Sequence, residues 1–525
     1  MTSLLTINGH FAKKAFACSV FLAFATISPA KMAVRGGKNV VYAGWHKQYC
    51  DTLRGANINS AFDFISRKKL KPRRQVVVGV VDSGADTTCL SLRESLWRNA
   101  KERLDDKDDD GNGYVDDIHG WNFLGTSDGK FNMVSAGTEE YREFKRLYPK
   151  YKRVKSTSQV MPEDRDEFDY YLEMRKKAKI NSYLTFFEIT ARKQAALASA
   201  DSIVRHMSGL RVDTLTLGGL MGLKVNDKHW ATYQSFMLVD RFRMPRSTKW
   251  TAYLEKARAD YQLMTRRVHG IEHDNDKRLL MGDNMLDAAD IHYGNNNVCV
   301  EGCDHGNFVA SVVAGQAADS QYVGIFPKAR LMIVRVCADG DEYDKDVSSG
   351  IRYAVDNGAK VINLSLGKYT SPQAAMVNDA IAYAAVHDVL IVAAAGNNGR
   401  DIDSVAYFPS AVDNAGRPFD NYIRVGASGR NGKRLQISNF GNHAVDLYAP
   451  GELIAGVYPG DKTDLADGTS VATPIVAGVA AMLRSYYPKL SAARIKRLLV
   501  ATARQEGDIK IVDAMAAFEN VKKIK

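Results

Sequence analysis

The chain has 525 residues, 45% hydrophobic and 25% charged, a balance that supports a sizeable core and excludes a low-complexity or disordered chain. Lys and Arg number 71 against 60 Asp and Glu, a net charge of +11. Residues 141–280 hold 28 basic against 17 acidic residues and the remainder balances, so the basic surplus belongs to one segment; no nucleic-acid-binding motif accompanies it, and no nucleic-acid partner is predicted.

The first 30 residues read as a signal peptide. Lys13 and Lys14 precede an apolar run from Ala15 to Ile27, and Ser28-Pro29-Ala30 puts small residues at the −3 and −1 positions of a cleavage site. The run is short for a membrane span, and no later stretch is long and apolar enough to be one. The chain is therefore expected to be exported to a periplasmic, cell-surface or extracellular location, with no transmembrane segment in its mature form. Export leaves Cys50, Cys89, Cys299, Cys303 and Cys337, an odd number, so at least one thiol is unpaired within the chain. A Cys299–Cys303 bridge stays open.

Gln75–Val81 reads QVVVGVV, the pattern of a parallel strand buried on both faces, and it ends in Asp82-Ser83-Gly84. In open α/β sheets functional groups gather at the carboxyl ends of strands, which places Asp82 there. Asp105–Gly120 then reads DDKDDDGNGYVDDIHG. Alternating Asp106, Asp108 and Asp110, a glycine and a closing Asp117 predict a calcium loop, since alternating oxygens around a glycine turn wrap a hard cation.

Residues 135–284 differ in kind. They lack β-branched runs over Glu163–His206 and Lys249–His269, and Tyr170, Tyr171, Met174, Ile180, Leu184 and Phe187 share one broad helical face. This is a helical insertion between an α/β portion, 31–134, and its continuation, 285–525. Its basic surplus suits a membrane surface, a polyanion or an acidic substrate, or is simply solvated.

From Met281 the α/β pattern returns. Strands are expected at Leu331–Val336, Lys360–Leu366, Val389–Ala395, Tyr422–Ala427 and Val445–Tyr448, with helices such as Ser348–Asn357 and Pro372–His387 between them. Alternating strands and helices predict a doubly wound, mostly parallel sheet with helices on both faces. Asp467–Leu483, DGTSVATPIVAGVAAML, predicts a turn followed by a small-sided, fully buried helix. Ser470 stands at its N-terminus, where unpaired N–H groups would stabilise a developing negative charge. Pro474 is expected in the first helical turn, where a missing N–H costs nothing.

An Asp, a His and a Ser thus fall at the ends of buried elements, in that order. Asp82-Ser83-Gly84, His305-Gly306-x-x-Val309-Ala310, Asn363-x-Ser365-Leu366-Gly367, Ala395-Gly396-Asn397, Ala449-Pro450-Gly451 and Gly468-Thr469-Ser470-x-Ala472-x-Pro474 together resemble the subtilisin-like serine proteases, the subtilases, over roughly residues 40–130 and 285–520. The resemblance implies a secreted endopeptidase acting on protein or peptide substrates. Carried over, Ser470 is the nucleophile, His305 the base, Asp82 its orienting carboxylate, and the Asn397 side chain with the Ser470 N–H the oxyanion hole. Ser365, Leu366 and Gly367 would pair with the substrate backbone, and Ala394, Ala395 and Gly396 would line the pocket for the residue before the scissile bond. The chain departs from the family pattern at Asn307-Phe308 and Ser311, and in the long gap between Asp82 and His305. The alternative function is a weak or inactive subtilase scaffold that binds through its basic insertion.

Overall fold

The computed structural model describes residues 44–207, 211–240, 244–317 and 322–524, so the expected signal peptide lies outside the described residues. The run that begins at Val76 forms the strand Val77–Asp82 in the interior of a nine-stranded sheet. From one edge the strands are Arg504–Glu506, Ile509–Ile511, Leu447–Pro450, Tyr422–Ser428, Leu390–Ala394, Val361–Leu364, Val77–Asp82, Arg330–Arg335 and Gly120–Asn122. Every neighbouring pair is parallel except the Arg504–Glu506 edge strand.

Successive side chains along these strands enter two different cores, as the period of two requires. Val78, Val80, Leu331, Ile333, Val392, Ile423 and Val425 pack with the helices Asp304–Ala314, Thr469–Tyr486 and Ala492–Thr502. Val81, Met332, Val334, Ile362, Leu364, Ile391 and Ala393 face the other way, onto the helices Asp344–Asp356 and Ala374–Val386. Covering both faces is why the strands read as unbroken β-branched runs instead of alternating ones. The fold is the expected α/β, doubly wound, mostly parallel sheet of the subtilisin-like type.

The helix Thr469–Tyr486 lies against the centre of this sheet, with Ala472, Ala477, Ala480 and Ala481 fully buried. Its small side chains are a packing requirement: a Cβ on Gly478 would come within 2.6 Å of the Ile325 side chain.

Among the described residues, those up to Glu139 and from Lys277 onward form one compact unit, and those of Glu140–Asp276 form a second. The flanks of the insertion belong to the first unit for physical reasons. Ser135–Gly137 pairs with Asp339–Gly340, and the buried Arg278 guanidinium binds Asp346 and Asp283. The second unit is helical, with Arg165–Lys177, Ile180–His206 and Trp250–His273 as its main helices. The long apolar face read from Tyr170 to Phe187 is interrupted at Lys179, which adopts a left-handed conformation with φ 56° between two separate helices. Its apolar side chains divide into one core around Phe144, Phe168, Tyr171 and Met174 and another around Leu197, Trp230, Trp250 and Tyr253.

The five described cysteines are all unbridged, including Cys299 and Cys303. No described helix is long and apolar enough to cross a membrane.

Candidate active site

Asp82 is the last residue of its strand and 1% exposed. Its Oδ1 accepts the Ser83 N–H at 2.7 Å and lies 2.7 Å from His305 Nδ1. A carboxylate only accepts, so Nδ1 carries the proton and Nε2 is left as the basic lone pair. Burial opposes the charged imidazolium, yet the charge of Asp82 and this hydrogen bond together raise the His305 pKa above 6.5.

Two glycines bring strand end and helix start together. Gly84 has φ 95°, and a Cβ on Gly306 would stand 2.1 Å from the Gly84 carbonyl oxygen. The Gly306 N–H donates to Ser83 Oγ at 3.0 Å. Asp-Ser-Gly and His-Gly thus form a backbone-to-backbone junction that holds the Asp82 and His305 side chains in contact.

Ser470 is the second residue of the Thr469–Tyr486 helix and half-buried. Its Oγ makes no hydrogen bond among the described residues. Pro474 is not in the first turn but is the sixth helical residue. Its missing N–H is the one that would have paired with the Ser470 carbonyl. Ser365 supplies the replacement, donating its Oγ to that carbonyl at 2.7 Å while accepting from Asn363 Nδ2 at 2.9 Å. Asn397 is held from the other side. Its Oδ1 accepts the Thr469 N–H at 2.8 Å and Thr469 Oγ1 at 3.0 Å, which leaves its amide N–H groups free for a ligand. Thr469 Oγ1 also accepts the Gly396 N–H at 3.1 Å. Thr469 is a positioning residue, quoted in the family motif but given no role by it.

Ser365, Leu366 and Gly367 leave the Val361–Leu364 strand, and Ala395, Gly396 and Asn397 leave the adjacent Leu390–Ala394 strand. Because these strands and Val77–Asp82 are parallel neighbours, the three segments emerge side by side at one edge of the sheet. Ala394 and Ala395 are buried, and Gly396 (φ 95°) turns the chain toward Asn397.

The departures from the family pattern are built into the scaffold. Asn307 is fully buried, accepting the Asp86 N–H at 3.0 Å and donating to the Val457 carbonyl at 2.8 Å. Ser311 Oγ donates to the Phe308 carbonyl and accepts the Val457 N–H, and Phe308 packs over Gly456, where a Cβ would meet its ring at 2.5 Å. All three tie the His305 helix to the strand Ile454–Tyr458.

In the acidic loop, Asp108 and Asp110 come together with Glu102, their carboxylate oxygens within 4.8 Å of one another. Asp106 is exposed and lies outside that group. Asp117 is fully buried and occupied by Asn99 Nδ2 at 2.7 Å, Tyr353 Oη at 2.7 Å and Asn112 Nδ2 at 3.2 Å. Burial raises its pKa to about 6 against those hydrogen bonds. Glu102, six residues before Asp108, escapes the alternating pattern because it reaches the loop from outside it. Three hard oxygen donors suit a hard cation such as calcium.

The geometry agrees with the comparisons. The subtilase family profile matches residues 73–515. Subtilisin BL of Lederbergia lenta is 35% identical over 212 residues, 40% of this chain and 74% of the relative. Subtilisin DY of Bacillus licheniformis is 34% identical over 211 residues, again 40% of this chain and 73% of the relative. Among solved structures, the prenylagaramide maturation protease PagA is similar, at 31% identity over 42% of this chain and 83% of its own, with a TM-score of 0.37. A profile that spans most of the chain, on a sheet of the matching type, makes this protein a member of the subtilase family, a subtilisin-like serine protease.

Proposed function

We propose that the chain is an exported serine endopeptidase that cleaves protein or peptide substrates through Asp82, His305 and Ser470. The single observation that carries this reading is the 2.7 Å contact between His305 Nδ1 and the buried Asp82 carboxylate, which leaves Nε2 basic. Nε2 takes the Ser470 proton as Oγ attacks the scissile carbonyl. Asp82 stabilises the imidazolium so formed. The tetrahedral oxyanion is met by the Asn397 amide and the Ser470 N–H, donors that are aimed before the reaction begins. Collapse expels the amine, which leaves with the proton from Nε2, and water then hydrolyses the acyl-enzyme by the same steps in reverse. Ser365, Leu366 and Gly367 pair with the extended substrate, and Ala394, Ala395 and Gly396 flank the side chain before the scissile bond.

Glu102, Asp108 and Asp110 would hold a structural calcium ion, whose charge would offset the repulsion of the clustered carboxylates. The export signal at residues 1–30 directs the chain across the inner membrane. Labelling with a fluorophosphonate, with Ser470→Ala as control, tests the whole reading: label on Ser470 supports it, and label accepted equally by the variant defeats it.

A further inference from the structure

Tyr407 lies against two glycines, one in each of the segments proposed to hold substrate. A Cβ on Gly367 would stand 2.5 Å from the Tyr407 hydroxyl oxygen and 2.7 Å from its Cζ; a Cβ on Gly396 would stand 2.6 Å and 2.7 Å from the same two atoms. Gly367 ends the segment that follows the Val361–Leu364 strand, and Gly396 follows the adjacent Leu390–Ala394 strand. The tip of the phenol therefore lies beside both glycines, and any side chain at either would collide with it.

The ring is fixed in that place. It is 8% exposed and packs with Ala395, Ile402 and Val445. Tyr369 meets it edge to face, with centroids 5.1 Å apart. The Arg424 guanidinium lies 5.7 Å from its centroid and Arg424 Nη2 donates to its backbone carbonyl at 3.4 Å. The hydroxyl itself has no hydrogen-bond partner among the described residues. A rigid ring of this kind does not swing aside cheaply, because its neighbours would lose their packing.

We infer that Tyr407 sets the specificity of the enzyme: it fills the depth that a large side chain before the scissile bond would need, so that position accepts Gly, Ala or Ser and rejects Leu and Phe. The unpartnered hydroxyl is the polar group at the floor, available to a small polar side chain. The inference rests on the assignment of Ser470 and of the two substrate segments given above. Pocket discrimination runs at about 10- to 200-fold for a single methylene, and a phenyl ring exceeds a methyl by far more than that.

The test uses peptides identical except for Gly, Ala, Leu or Phe before the scissile bond, with kcat/KM measured for each. Wild-type protein should cleave the Ala peptide at least about 100-fold better than the Phe peptide. Tyr407→Gly should narrow that ratio at least about tenfold by raising the Phe and Leu rates, and Tyr407→Phe, which keeps the ring, should retain the preference for small residues. Equal wild-type cleavage of the Ala and Phe peptides overturns the inference, and that result needs no folded variant. An unchanged ratio in a folded Tyr407→Gly protein also overturns it. Ser470→Ala separates the two levels: if it is inactive while the wild type favours Phe, Tyr407 alone has been misread, whereas cleavage surviving in Ser470→Ala removes the site assignment and the inference with it.

Discussion

Ser365 donates its hydroxyl to the Ser470 carbonyl at 2.7 Å, the carbonyl that Pro474 leaves without an intrahelical partner. A proline in the second turn of a buried helix ordinarily costs a hydrogen bond and opens the helix. Here the opening is filled from the neighbouring strand end, so that the backbone of the proposed nucleophile is tied to the segment proposed to hold substrate.

Ser365→Ala should therefore do two things at once. It leaves a part-buried carbonyl unsatisfied, at a cost of up to about 1–3 kcal/mol, and it loosens Ser470. Chemical denaturation should show that loss, and kcat should fall with it. Ser365→Thr, which retains the hydroxyl, should recover most of both.

The Asp82–His305 pair predicts the acid limb of the pH profile. His305 must be neutral to act as base, and its pKa is raised above 6.5 by Asp82 despite burial. The rise of kcat/KM with pH should thus be centred above about 6.5. In Asp82→Asn the raising influence is gone and burial remains, so the limb should shift to lower pH, with turnover reduced about 10⁴-fold. A limb that stays in place in that variant would show that another group controls it.

Asn397→Asp isolates the oxyanion donor. The retained Oδ1 continues to accept from Thr469, but no amide N–H remains for the oxyanion. The new charge also opposes a developing negative one. A loss of at least about 100-fold in kcat is expected, with KM changed far less. Steady-state kinetics on one peptide decides it.

The fold and the order of the site residues were legible because they rest on local patterns. Buried parallel strands show as β-branched runs; Asp82 ends one, Asn397 follows another by three residues, and His305 and Ser470 are each the second residue of a buried helix. The contacts that hold the site were not legible, because they join residues far apart in the chain. Ser365 reaches Ser470 across 105 positions and Thr469 reaches Asn397 across 72. The same limit applies to the acidic loop, where spacing nominated Asp106 and Asp117 but Glu102 joins Asp108 and Asp110. Asp117 is instead a buried anchor for Tyr353, a residue 236 positions away. Pro474 was misplaced by one turn because a sequence shows where a helix is apolar more sharply than where it begins.

Calcium removal offers a test of that loop. A cation that binds only the folded state stabilises it by mass action, by about 2.7 kcal/mol at 100 times its Kd. Chelator should lower Tm, and Asp110→Asn should remove most of the difference between Tm with and without calcium. A melting curve indifferent to calcium in the wild type would leave the cluster as a set of turn caps.

The most direct test of the central claim is mass-spectrometric mapping of a fluorophosphonate adduct on the full chain, done beside peptide cleavage by wild type and Ser470→Ala. Modification at Ser470 is predicted, with the variant folded, unlabelled and slower by at least about 10³-fold, since residual catalysis comes from binding and the oxyanion hole alone. An adduct on a different residue, or cleavage by Ser470→Ala at the wild-type rate, would contradict the account.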